Sequence, residues 1–287
     1  MNCARFLPLI RNALREDIGR RDITTELMIP QNKNIKAVLL AKENCLLCGL
    51  DVAKAVFKVR DKGIKFKPLV KDGQEVKKGK ILARIEGRAR SILTAERVVL
   101  NFLSLLCGIA TKTKAYVHKV KSYRVKIMDT RKTIPGLREL EKYAVRTGGG
   151  YNHRMRLDEM VLVKDNHLAV SGFRVQGSGF RGKIKKIKRK GKKIELEVKN
   201  LREFKEALKL KPDIIMLDNM SVGVIRRAVR IRNKPTTNDQ RLTTKLEASG
   251  NITLKNIRQV AATGVEMISV GNLTRSLESS DISLEVL

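Results

Sequence analysis

The chain has 287 residues, enough for one large domain or two medium ones around a real core. Hydrophobic residues make up 42%, an ordinary share for a globular chain, and no apolar run approaches the roughly 20 residues that span a bilayer. Lys and Arg total 61 against 29 acids, a net charge of +32, which attracts polyanions and small anions and leaves the fold undecided.

In chain order, Met1 to Leu14 reads as an amphipathic helix, interrupted by charge too soon to be a signal peptide, so a cytoplasmic protein with no membrane segment is expected. Asp22 in "RRDITTELMIP" stands where it would cap a turn. "NIKAVLLAKENCLLCGL" reads as one or two strands, and "DVAKAVFKV" is helical in period. Cys45 and Cys48 form a C-x-x-C without a second ligand pair at metal spacing; buried or incidental thiols are the expected reading, with Cys3 and Cys107 alongside. "IKFKPLVKDGQEVKKGKILARIEG" reads as strands around turns at Asp72-Gly73 and Lys78-Gly79. It resembles the small β-folds that carry swinging-arm cofactors but lacks their central lysine, so it reads as architecture only. The stretch from Ser91 to Val120 carries Leu93, Val98, Leu100, Phe102, Leu103, Leu106 and Ile109 at helical spacing. Spacing alone makes Arg97, within it, a surface arginine.

After Lys121 short apolar runs alternate with helical stretches. The runs are "RVKIMDTRKT", "EMVLVKDNH", "KIELEVKN", "PDIIMLDNMS", "TKLEASGN" and "EMISVGN". Strands alternating with helices predict βα units and a parallel sheet that closes into a barrel. Each run ends in chemistry: Asp129-Thr130-Arg131-Lys132, Lys164-Asp165-Asn166, Glu197, Asp218-Asn219, Glu247 with Ser249-Gly250, and Gly271-Asn272. Active sites of such barrels lie at the carboxyl ends of the strands, so the six ends converge on one mouth.

That mouth is predicted to hold the cations Arg131, Lys132, Arg154 and Lys164, with His153 able to add another, facing Glu197 and Asp218. Arginine forks suit carboxylates and phosphates, and paired acids suit Mg²⁺ or ribose hydroxyls. Small residues in "SGN" and "VGN" let backbone N–H groups approach a phosphate, with a helix N-terminus expected behind each. His153 and His167 are flanked by cations and lack a third soft ligand, which disfavours a metal. His153 reads as a hydrogen-bond donor to a carboxylate, and His167 as a structural cap.

These motifs resemble a known family. "TAERVVLNFL", "DTRKTIPGLRELEKYAVRTGGGYNHRMRLDEMVLVKDNH", "LEV", "MLDN", "LEASGN" and "SVGNLTRS", with "EDIGRRDITTELMIP" near the start, are similar to nicotinate-nucleotide pyrophosphorylase (carboxylating), or quinolinate phosphoribosyltransferase, over essentially the whole chain.

The resemblance implies an α/β fold. Residues 1–108 would form an N-terminal α/β sandwich, 109–275 an open α/β barrel of six or seven strands, and the tail 276–287 would pack on the sandwich. It implies a homodimer, in some members a hexamer, with one subunit's N-terminal domain capping the other's barrel. The implied reaction joins quinolinate to phosphoribosyl pyrophosphate with Mg²⁺, giving nicotinate mononucleotide, pyrophosphate and CO₂ for NAD biosynthesis. By motif, Arg97 from the neighbouring subunit, Thr130, Arg131, His153, Arg154 and Lys164 would meet quinolinate. Lys132 and Lys164 would face the phosphoribosyl pyrophosphate. Glu197 and Asp218 would hold its ribose, directly or through Mg²⁺. Ser249, Gly250, Asn251, Gly271, Asn272 and Arg275 would surround the 5′-phosphate.

Two positions depart from the family pattern: Asn251 stands where a second glycine is usual, and Arg275 where histidine is usual. Arg275 keeps a phosphate-binding cation. "RIRNKPTTNDQRLTTK" is longer and more polar than a tight barrel connection needs. The basic run Lys183 to Lys193 reads as the solvated face of a barrel helix and its loop. Alternatives are a relative of the same fold acting on another substrate, such as nicotinate or one tied to molybdenum uptake, and non-specific nucleic-acid binding. Against the last, seven Phe, four Tyr and no Trp offer few stacking platforms, and no zinc-finger, RNA-recognition or helix-turn-helix signature stands in the sequence.

Overall fold

The structure, a computed structural model, describes residues 3–171, 177–234, 243–276 and 278–287. They divide into two compact units: 1–114 with 135–149 and 276–287, and 115–134 with 150–275.

The first unit begins with a 3-10 turn (Cys3–Phe6), α1 (Leu7–Ile18) and α2 (Ile23–Met28). Asp22 caps α2, its carboxylate accepting the Thr25 N–H at 3.0 Å, as its position in the sequence suggests. β1 (Asn34–Ala41), β2 (Cys45–Leu46), α3 (Leu50–Arg60), β3 (Lys65–Pro68), β4 (Glu75–Val76), β5 (Ile81–Arg88) and the long α4 (Ala89–Lys119) follow. The main sheet is antiparallel with order β12-β1-β5-β3, where β12 is the C-terminal strand (Ile282–Val286). β4 pairs with β2 rather than β5, so the "DGQEVKKG" and "ILARIEG" segments belong to different sheets. The Asp72 carboxylate accepts N–H bonds from Gly49 and Leu50 at 2.8 and 3.1 Å and so caps α3, while Tyr143 donates its hydroxyl to the same group at 2.7 Å.

α4 is long and apolar enough to cross a membrane by length and composition, contrary to the reading that no such run exists. Of its most apolar window, 67% is buried inside the fold, with Ile92, Val99, Leu103, Leu106 and Ala110 in the core, as befits a core helix. Gly108 on α4 has a steric reason: a Cβ there would sit 1.9 Å from the Glu278 carbonyl oxygen. The tail crosses α4 at that point, held by Ser280 N–H to the Ser104 carbonyl (3.0 Å) and by Lys112 Nζ to the Ser276 carbonyl (2.7 Å). As a compact body the unit runs to 114 and takes in 135–149 as well as the tail. Cys45, Cys48 and Cys107 are buried free thiols; Cys107 Sγ accepts the Cys48 N–H at 3.2 Å, and burial pushes the Cys48 thiol up.

The second unit contains the six expected strands: β6 (Lys126–Met128), β7 (Val161–Val163), β8 (Ile194–Val198), β9 (Ile214–Asp218), β10 (Lys245–Ser249) and β11 (Met267–Ser269). All are parallel, in the order β6-β11-β10-β9-β8-β7. Tyr151 adds a one-residue parallel bridge to Met128 on the free side of β6. β6 and β7 do not pair, so the barrel is open there.

The helical stretches after β6 are α5 (Arg138–Thr147), α6 (Asp165–Ser171), α7 (Ser178–Arg189), α8 (Leu201–Lys209), α9 (Val222–Asn233), α10 (Ile257–Ala261) and α11 (Asn272–Arg275). α5 belongs to the first unit. On α7, Phe180 and Ile184 are buried while Arg181, Lys183, Lys185 and Lys186 are exposed, so most of the basic run is a solvated helix face. The long polar connection noted in the sequence falls largely on 235–242, outside the described residues.

Candidate active site

At the carboxyl ends of the barrel strands lies a cavity of about 290 Å³, lined by Thr130, Arg131, Lys132, His153, Arg154, Leu162, Lys164, Glu197, Met216, Asp218, Ser249 and Ser269. Nine of the residues singled out from sequence meet there: Thr130, Arg131, Lys132, His153, Arg154, Lys164, Glu197, Asp218 and Ser249. A larger cavity, about 1300 Å³, opens at the opposite ends of the strands, with Lys126, Lys193, Lys211 and Lys245 in its wall. Only the first gathers the strand-end chemistry, so it is the candidate site; His153 and Arg154 line both.

The cationic side is built from β6 outward. Asp129, fully buried after β6, accepts the His153 N–H at 2.8 Å and the Asn152 amide at 2.5 Å. This clamp fixes 152–154 beside Arg131. Thr130 Oγ1 accepts the Lys132 N–H at 3.1 Å, and Thr274 donates its hydroxyl to the Lys132 carbonyl at 2.7 Å. The Arg131 Nε is buried and has no hydrogen-bond partner among the described residues. Arg154 donates from Nη1 to the Met160 carbonyl at 3.1 Å. Burial, and then the charge of Arg131, hold the Arg154 guanidinium below its usual pKa, while Glu195 opposes them. Two like charges and an unsatisfied buried donor are a place prepared for an anion.

The anionic side comes from adjacent strands. Glu197 on β8 is bonded to the Lys164 ammonium. Asp218 ends β9 and accepts the Asn219 amide at 2.9 Å. Lys164 is in turn placed by its own backbone: its N–H donates to His167 Nδ1 at 2.9 Å, so His167 caps the turn into α6, as read from sequence.

The turn after β10 is governed by backbone geometry. Gly250 has φ +97°, and a Cβ there would lie 2.2 Å from Asn219 Oδ1. Asn251 has φ +52°, in the left-handed region where glycine is at ease and asparagine is among the better-tolerated substitutes. This accounts for the departure from the family's glycine. Asn251 Nδ2 also donates to Asn219 Oδ1 at 3.1 Å. At the next strand end, a Cβ on Gly271 would lie 3.3 Å from the Lys132 side chain, so the glycine makes room for Lys132.

Several expectations need correction. No helix starts directly behind "SGN": α10 begins only at Ile257, and α11, behind "VGN", is a single turn. Of the expected phosphate residues Lys132 and Ser249 line the 290 Å³ cavity, Gly271 lies against the Lys132 side chain, and Arg275 is exposed. His153 meets a carboxylate of the protein itself: its Nε2 is 2.9 Å from Glu195 Oε2, while the Arg154 N–H reaches its Nδ1 at 2.9 Å. Both ring nitrogens are thus engaged within the protein. Sequence reasoning passed over Glu195, yet Glu195 and Glu197 are two apart on one strand and share a face. That period-two signal was available. Arg97 lies on α4 in the first unit, exposed.

An open parallel barrel whose strand ends bring two guanidiniums, two ammoniums and two carboxylates to one cavity defines an anion-handling barrel protein. Comparison with known proteins narrows that class. The family "Quinolinate phosphoribosyl transferase, N-terminal domain" matches residues 22–107 and "Quinolinate phosphoribosyl transferase, C-terminal domain" matches 109–285. The probable nicotinate-nucleotide pyrophosphorylase [carboxylating] of Methanocaldococcus jannaschii is 43% identical over 98% of this chain and 97% of its own. A crystal structure of NadC from Streptococcus pyogenes superposes with a TM-score of 0.89 at 37% identity, covering 100% of this chain and 99% of that one. The nicotinate-nucleotide pyrophosphorylase of Francisella tularensis gives 0.88 at 40% identity, covering 98% and 95%. The chain belongs to the quinolinate phosphoribosyl transferase family.

Proposed function

We propose that the chain transfers the phosphoribosyl group of phosphoribosyl pyrophosphate to quinolinate, releasing pyrophosphate and CO₂ and leaving nicotinate mononucleotide for NAD biosynthesis. The carrying observation is the Arg131–Arg154 pair, with its unpartnered buried Nε, at one side of a cavity whose other side holds Glu197 and Asp218. The names of the relatives, nicotinate-nucleotide pyrophosphorylases, support the same reading.

In this reading Arg131, Arg154 and Lys164 hold the two carboxylates of quinolinate, with Thr130 beside them. Their charge offsets the repulsion between a dianion and a phosphorylated sugar, and their geometry aims the ring nitrogen at the anomeric carbon. The bond from that carbon to pyrophosphate breaks, its electron pair leaving with pyrophosphate. Lys132 stabilises the departing charge, and Glu197 and Asp218 favour the cationic sugar. The ring nitrogen's lone pair forms the new bond. The adjacent carbon–carboxylate bond then breaks: CO₂ leaves, the electron pair stays on the ring carbon, stabilised by the neighbouring cationic nitrogen, and that carbon takes a proton from solvent. The turns around Ser249, Gly250, Asn251, Gly271 and Asn272, with Arg275, receive the 5′-phosphate.

Glu197 and Asp218 are hard oxygen donors on neighbouring strands lining the same cavity, which suits Mg²⁺ bound chiefly through substrate oxygens. When bound, the ion supplies charge neutralisation to the pyrophosphate. The exposed Arg97 is read as completing a neighbouring subunit's quinolinate site in a homodimer. Turnover of quinolinate and nicotinate measured side by side with phosphoribosyl pyrophosphate tests the reading: quinolinate is used, nicotinate is not. Preference for nicotinate would overturn it.

A further inference from the structure

The basic rim at the amino ends of the barrel strands has no part in the reaction as described. The cavity there, about 1300 Å³, lies wholly within the second unit and carries eight lysines and arginines in its wall against three acids. Its cations come from the starts of separate strands. Lys193 stands just before β8, Lys211 in the turn before β9, Lys245 at the first position of β10, and Arg124 ahead of β6. All four residues are exposed. β8, β9 and β10 are neighbours in the sheet, and adjacent strands stand about 4.8 Å apart, so three of these cations share one stretch of rim.

Lysines at this end of a barrel have an ordinary use, because the helices end here and their last carbonyls carry partial negative charge. That use accounts for two of them. Lys188 Nζ bonds to the Leu210 and Lys211 carbonyls at 3.2 and 2.6 Å, holding the turn after α8 in which Lys211 has φ +49°. Lys192 Nζ bonds to the Asp158 carbonyl at 2.9 Å. Lys126 lies over the Tyr151 ring, 4.6 Å from its centroid. The side chains of Arg124, Lys193, Lys211 and Lys245 have no hydrogen bond, ion pair or ring contact among the described residues. The acids of the wall are engaged elsewhere. Asp213 accepts the Ile194 N–H at 2.8 Å. Glu266 accepts from Arg232 Nη2 at 2.7 Å and from the Leu246 N–H at 2.8 Å. Glu247 is fully buried and accepts the Ser269 hydroxyl at 2.5 Å. Four like charges around one hollow repel one another, and a multiply charged anion between them relieves that repulsion.

We propose that the amino end of the barrel is a second anion site, for a small ligand carrying two or more linked phosphates, inorganic or on a nucleoside. Apart from His153 and Arg154, it shares no wall residue with the substrate cavity. Ammoniums on long stems, reaching in from separate strands, suit phosphate oxygens that lie close together. A hollow of this kind fits a compact ligand. A length of nucleic acid would need an extended track with stacking faces, and the wall offers two tyrosines, one of them under Lys126.

Two measurements test this on the whole protein. The first is calorimetric titration with inorganic triphosphate and with ATP. It compares wild type, a rim variant (Lys193→Gln, Lys211→Gln and Lys245→Gln together) and a control of equal charge loss on the exposed face of α7 (Lys183→Gln, Lys185→Gln and Lys186→Gln together). Wild type should bind one more triphosphate per chain than the rim variant, which should lose that site or hold it about tenfold more weakly or worse. The control should bind as wild type does. Tighter binding of ATP than of triphosphate would assign the site to a nucleotide, and equal binding to the phosphates alone. A rim variant that binds as wild type does overturns the proposal, as does equal weakening in the control, which would mean diffuse surface charge. Single-stranded RNA that depends on the rim, where triphosphate and ATP do not bind, overturns it too. The second measurement is lysine acylation read by mass spectrometry. Triphosphate should shield Lys193, Lys211 and Lys245 of the wild-type protein more than Lys183 and Lys185. Uniform shielding overturns the proposal even if the rim variant does not fold. Neither readout needs turnover, so the proposal stands or falls apart from the reaction assigned above.

Discussion

The Lys164 ammonium is bonded to the Glu197 carboxylate across the mouth of the barrel, joining the end of β7 to β8. The Lys164 backbone is also placed, by its N–H bond to His167 Nδ1. Removing it deletes a cation from the cavity wall and leaves Glu197, 7% exposed at its side chain, without its counter-ion. Lys164→Ala is therefore expected to lower kcat/KM on the order of 10²-fold or more. Steady-state kinetics on variant protein shown to be folded checks this; near-wild-type turnover would remove Lys164 from the site.

Arg131 offers a sharper test of chemistry against charge. Its Nε is the buried donor without a partner. Lysine restores the charge but has neither the second donor nor the planar fork. Arg131→Lys should raise KM for quinolinate nearly as much as Arg131→Ala, about 2–3 kcal/mol of binding for a lost charge-assisted bond. Full rescue by lysine would show that only the charge matters.

Gly250 and Asn251 predict opposite signs. Gly250→Ala puts a Cβ 2.2 Å from Asn219 Oδ1 at φ +97° and should destabilise by at least ~1–3 kcal/mol. Asn251→Gly relieves a left-handed residue at the loss of one hydrogen bond to Asn219, and should fall within about 1 kcal/mol of wild type. Chemical denaturation of the two variants, read for midpoint and slope, decides both.

Much of the barrel was legible because each strand is a short apolar run ending in charged or small residues, and six such runs in series leave few folds. Thr130, Arg131, Lys132, Lys164, Glu197, Asp218 and Ser249 followed from the rule that strand carboxyl ends converge, whereas His153 and Arg154 stand at no strand end. What stayed hidden depends on three-dimensional pairing. The partners of the His153 ring are the Arg154 N–H and Glu195, 42 residues away. The extension of the first unit through 135–149 depends on where α5 docks, which its helical period does not reveal. α4 was read correctly as a helix, but its full 31 residues, and so its membrane-like length, emerge only once the whole span folds as one helix. Arg97 shows the opposite limit: spacing made it a surface arginine, the structure leaves it exposed, and only the family resemblance gives it work.

That work is testable by mixing. If Arg97 completes the partner's site in a homodimer, Arg97→Ala and Lys164→Ala are each inactive alone, yet their heterodimer holds one intact site. Mixed after unfolding and refolding together, they should regain about a quarter of wild-type activity, from statistical pairing in a two-fold dimer. No recovery, with heterodimers shown to form, would place Arg97 within its own subunit's site or outside the reaction.

The most direct test of the central claim follows the carboxyl carbon. Purified protein with Mg²⁺, phosphoribosyl pyrophosphate and quinolinate labelled at the carboxylate next to the ring nitrogen should release labelled CO₂, pyrophosphate and nicotinate mononucleotide in equal amounts. Folded protein that forms no nicotinate mononucleotide, or that forms a mononucleotide still carrying the label, would contradict the account.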